Sequence, residues 1–133
     1  MNSLRDKYYS VLLERKFSGD CMSVCDQFID FCCDHLSVER NGLKVRFLET
    51  KTDKITTAAY LVTDKEIHVL VEDRALVDVL RSIAHEMVHY KQHINNELTN
   101  SSGATGSEHE NEANAVAGVI MRNFQDSHAE EIY

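Results

Sequence analysis

The 133-residue chain has no long apolar run. Its longest uninterrupted one is five residues, Ala58 to Val62, whereas a membrane-crossing helix needs about 20. The opening residues, MNSLRDKYYS, are charged and lack the apolar segment of a secretory signal. A cytoplasmic, reducing compartment and no membrane partner are the expectation. Positive charge is also scarce. Fourteen Lys and Arg against 22 Asp and Glu give a formal net charge of -8, which speaks against a nucleic-acid or anionic-membrane surface. The sequence lacks internal repeats and the marks of disorder. Its composition, 43% hydrophobic and 27% charged, is that of a globular protein, and one domain spanning 1–133 is expected. A chain of this size can bury a core without staples.

Cysteine is limited to four residues. Cys21, Cys25 and Cys32, with Phe28 between, fall on one helical stripe and read as small buried hydrophobes. The rival is a second metal site from Cys32, Cys33 and His35, but that spacing matches no zinc pattern.

What is present is a change of period along the chain. Leu4 to Phe17 carries apolar residues at helical spacing. SGD at 18–20 is a break in which Asp20 can cap a second helix over 21–36. After the turn signal ERNG, LKVRFLET alternates from Leu43 as a half-buried strand does. TTAAYLV and EIHVLVE are two further strands, joined by TDK, a hairpin turn without the usual glycine. From Asp73 the pattern is helical again, with Leu76, Leu80, Ile83 and Met87 on one stripe. TNSSGATGS at 99–107 reads as a polar loop, and a last helix is expected from Ser107 to Phe124 before a fraying tail. The fold class is therefore α+β: N-terminal helices within 1–38, a small sheet of about three strands within 43–72, and two helices within 73–124.

The chemistry lies in HEMVH. Residues four apart on a helix stack one turn above each other, so His85 and His89 can offer two imidazole nitrogens to one ion. Glu86 lies beside them, placed to reach a water without ligating the metal. Hydrolytic zinc sites need this set: fixed neutral ligands, an open position and a base near the water. Composition alone gives such a motif by chance in roughly 3% of similar chains. Its helical, uncharged surroundings lower that, because histidine and glutamate are costly inside a helix unless paired or ligating.

HEMVH followed by ENEAN at 110–114 resembles the gluzincin metallopeptidases, in which HExxH is paired with a glutamate in a later E-x-x-A-[DN] helix. The small ImmA/IrrE-type minimal metallopeptidases are similar in size. The resemblance covers about residues 55–124 and no part of the N-terminal third. It implies a minimal zincin-like domain holding one Zn²⁺ per chain on His85, His89 and Glu110, with Glu86 as general base. It also implies that Asn114 orients a ligand histidine, and that a peptide or protein substrate lies along an edge strand, either TTAAYLV or EIHVLVE.

The residues themselves leave the third ligand open. Glu110 shares a stripe with Ala113, Asn114, Ala117 and Met121, whereas Glu112 lies on the neighbouring one. Glu108 and His109 are further candidates. Ser107 and Glu110 also fit a capping box, which explains the glutamate without a metal. His93 continues the histidine series but lies about 12 Å along the helix from His85, too far for the same ion. Its other reading is a solvated histidine near a helix C-terminus. His68 reads as structural. Tyr60, Tyr90 and His109 are candidates to stabilise an oxyanion. The alternative to a zinc metallopeptidase is a zinc-fold regulatory or binding protein that cleaves little or nothing; a helical interaction protein without metal is the third reading.

Overall fold

The structure, a computed structural model, describes residues 19–50, 57–97 and 107–132. The helix expected over 4–17 and nearly all of the 99–107 loop lie outside them. The chain order is α1 (Gly19–Leu36), β1 (Lys44–Leu48), β2 (Ala58–Leu61), β3 (Glu66–Leu70), α2 (Leu76–Ile94) and α3 (Glu108–Ile132). Among the described residues this is an α+β arrangement of three helices and one mixed sheet.

The sheet order is β1-β3-β2. β2 and β3 form the expected antiparallel hairpin, Tyr60 facing Ile67. Its turn has no glycine, and Lys65 takes the left-handed conformation at φ 52° instead. β1 pairs with β3 in parallel, Val45 beside Ile67. β3 is thus the central strand, which suits its near-continuous apolar content: Ile67, Val69 and Leu70 are buried. EIHVLVE therefore supplies no free edge. Among the described residues β2 is paired on one side only.

One hydrophobic cluster joins all the elements. Cys21, Val24, Cys25, Phe28 and Cys32 of α1 are buried in it, as the stripe predicts. Burial also pushes the Cys25 and Cys32 thiols well above their ordinary range, so these are packing groups and not thiolates. His35, by contrast, is exposed. Among the described residues, Cys32, Cys33 and His35 do not form a group able to hold a metal.

Several boundaries differ from the sequence reading, each for a local reason. α1 starts at Gly19, so Asp20 lies in its first turn and acts there on the helix dipole. α2 begins at Leu76 and not near Asp73, because Asp73 is left-handed at φ 53°. Its end is fixed by a Schellman closure. Asn96 takes the left-handed position (φ 58°), its N–H donates to the His93 carbonyl (3.0 Å), and the Glu97 N–H donates to the Gln92 carbonyl (2.8 Å). α3 runs past Phe124 to Ile132, with non-helical dihedrals at His128. The extension holds because His128 stacks on Phe124 (4.1 Å, 13°) and meets Phe31 edge-on.

Candidate metal centre

Helix geometry places the first two groups. His85 and His89 point the same way from α2, their ring centroids 4.9 Å apart. The third comes from the first turn of α3. Ser107 accepts the Glu110 N–H on its hydroxyl (3.1 Å), as an N-cap does. The Glu110 carboxylate does not complete a capping box; it faces the two imidazoles. Oε1 lies 2.7 Å from His85 Nε2, and Oε2 lies 3.0 Å from His89 Nε2. All three side chains are half-buried.

This donor set fits a divalent ion. The three ligand atoms lie within 4.8 Å of one another, the only such group of His, Cys, Asp or Glu among the described residues. Tetrahedral zinc with ~2.1 Å bonds needs donors roughly 3.4 Å apart, so the carboxylate would draw back from the two rings by about 0.4–0.7 Å. Two neutral nitrogens and one anionic oxygen suit a borderline metal and leave a fourth position open.

Glu86, only 8% exposed, lies beside the centre and outside the triad. Burial raises its carboxyl above the ordinary range, and the nearby Glu110 adds to that; the two histidines and a hydrogen bond from the Tyr60 backbone N–H pull the other way. That N–H is available because of strand register. Leu70 N–H donates to the Thr57 carbonyl (2.8 Å), so alternate residues Thr57, Ala59 and Leu61 face β3 and Tyr60 turns its backbone outwards. Glu86 therefore meets the outer edge of β2.

The other sequence candidates separate clearly. The Glu112 carboxylate accepts from Gln92 Nε2 at 2.8 Å and lies 3.8 Å from Lys91 Nζ. It is not in the triad. Glu108 is exposed. Asn114 is exposed too, and no described hydrogen bond links it to a ligand histidine; that position is filled by Gln92. Tyr90 cannot serve as an oxyanion donor. It is 2% exposed, and its hydroxyl donates to the Glu39 carbonyl at 2.7 Å. The Tyr60 hydroxyl lies 2.7 Å from His93 Nδ1, so His93 is partnered and not a solvated end-of-helix group. Burial, with Tyr90 nearby, pushes the Tyr60 hydroxyl up to about 12. It stays protonated. His109 is half-buried in the first turn of α3, its carbonyl accepting from Gln92 (3.0 Å). His68 pairs with Glu66 at 3.1 Å, on the sheet and outside the triad.

Two contributors escaped sequence reasoning. Gln92 is fully buried and reaches both helices. Its one signal was its place three residues after His89 on the same helix. Arg74 ties the end of β3 to α2, donating to the carbonyls of Thr57 (3.2 Å), Leu70 (2.9 Å) and Asp78 (3.0 Å) and to Ser82 Oγ (2.7 Å). No sequence pattern marks it.

No protein-family model, curated protein or solved structure matches this chain. Also, no helix among the described residues is long and apolar enough to cross a membrane.

Proposed function

We propose that the protein is a zinc-dependent metallopeptidase with a minimal zincin-like core. The observation that carries this reading is the position of Glu110: one carboxylate from a separate helix meets both imidazoles of HExxH. His85, His89 and Glu110 would hold the ion. Zinc held there would supply an activated water and a polarised carbonyl.

The remaining chemistry belongs to the chain. Glu86 takes the proton of the attacking water and passes a proton to the leaving amine. Its burial suits that task, because a carboxyl raised towards neutrality both accepts and returns a proton readily. The outward edge of β2 lies against Glu86, so an extended peptide adding to that edge brings its backbone to the reacting groups. With Tyr90 committed to Glu39, Tyr60 and His109 remain to donate to the oxyanion.

Metal analysis of protein purified without a histidine tag, followed by a peptide-library digest, tests the reading. One equivalent of zinc per chain is expected, with cleavage that Glu86→Gln abolishes while zinc stays bound. A metal-free preparation that takes up no added zinc refutes it. Zinc uptake with no cleavage of any peptide leaves a zinc-fold binding protein instead.

A further inference from the structure

Gln92 is the one polar side chain of α2 with no exposure at all. Burying an amide requires partners for both its ends. Its Nε2 faces two acceptors, the His109 carbonyl at 3.0 Å and Glu112 Oε1 at 2.8 Å. A carbonyl oxygen cannot donate, so the end facing His109 must be the NH₂ and the amide cannot be turned over. Oε1 is then the atom 2.8 Å from His89 Nδ1. An amide oxygen only accepts, so the proton of that bond sits on Nδ1. Nε2 is left as the ligating nitrogen, 3.0 Å from Glu110 Oε2. A bare lone pair does not face an ionised carboxylate at that distance unless a proton or a metal ion lies between them.

The same amide spans the two helices. One end holds His89 on α2, and the other holds the turn of α3 that carries Glu110. We infer that Gln92 is a positioning residue of the metal centre: it fixes His89 with the proton on Nδ1 and locks the helix bearing Glu110 in ligating register. The inference rests on the metal reading above and deepens it. Partners of this kind typically change metal affinity by about 10–100-fold when removed.

The test uses zinc affinity by chelator competition and the ring NMR of the zinc-loaded chain. Wild type should show His89 bound through Nε2, with an Nδ1 proton protected from exchange. Gln92→Met should lose that protection and bind zinc roughly 10–100-fold more weakly. The double variant Gln92→Glu with Glu112→Gln keeps an acceptor for Nδ1 and takes a donor from residue 112, although it gives up the bond to the His109 carbonyl. It should keep the protected proton and hold zinc more tightly than Gln92→Met, a partial rescue that mere space-filling does not explain. It also serves as the readout if Gln92→Met fails to fold. The inference is overturned if wild type binds zinc through Nδ1 of His89. It is equally overturned if Gln92→Met matches wild type, or if the double variant is as weak as Gln92→Met. Failure of wild type to bind zinc at all overturns the metal reading itself, an outcome distinct from each of these.

Discussion

Ala113 offers a test of how tightly α3 must pack for Glu110 to meet the two histidines. It lies one turn after Glu110 on the same face of α3 and has no exposure. Ala113→Leu adds three carbons at a position closed to solvent. Overpacking of this size costs typically 1–3 kcal/mol, so about 2 kcal/mol is expected. A chain of this length loses roughly 0.28 kcal/mol of stability per degree near its midpoint, so Tm should fall by about 7 °C. The more telling effect is at the centre. The added bulk would push α3 outward, and Glu110 begins 2.7 and 3.0 Å from the two rings. A shift on the order of 1 Å takes the carboxylate out of simultaneous reach and should cost roughly 100-fold in turnover. Ala115→Leu, at an exposed position of the same helix, is the control and should change neither quantity by much. Thermal melts of the metal-free chain and zinc titrations of both variants make the measurement. If Ala113→Leu melts like wild type and binds zinc equally well, the close helix approach is not what sets the site.

Three other outcomes follow from the structure. Glu86→Gln should stabilise the metal-free chain at neutral pH. The raised carboxyl makes the folded state bind more protons than the unfolded one, so wild-type stability falls as pH rises from the ordinary value of 4.5 through the folded one. The gain of the variant should therefore grow across that window in urea melts and vanish below it; a constant difference at all pH values contradicts the burial argument. Arg74→Met removes donors to three carbonyls and one hydroxyl, and should cost about 2 kcal/mol in denaturant unfolding, with faster amide exchange at the start of β2. Phe124→Ala empties a fully buried site where the ring meets Phe28 (4.9 Å), Phe31 (5.2 Å) and His128, and should cost about 3–5 kcal/mol; a loss under about 1 kcal/mol would show that the C-terminal half of α3 is not anchored there.

Much of the site was legible because it is local. The stacking of His85 and His89, and Glu86 beside them, depends only on helical period. The stripe of Cys21, Cys25 and Cys32 and the three strands are likewise matters of period, which backbone geometry imposes. Boundaries were less legible where a residue other than glycine takes a left-handed conformation, as Asp73 and Asn96 do.

The sequence by itself determined the elements within the described residues, the paired imidazoles and the shortlist of acidic partners, since each of these follows from spacing within a single segment. Tertiary structure alone decided which partner meets the rings. Glu110 and Glu112 are two residues apart, yet the rotation of α3 against α2 turns the first to the histidines and the second to Gln92 and Lys91. It also decided that β3 lies inside the sheet and that Gln92 joins the two helices. Such choices depend on how separate segments pack, and packing is set by the shapes of surfaces that are far apart along the chain.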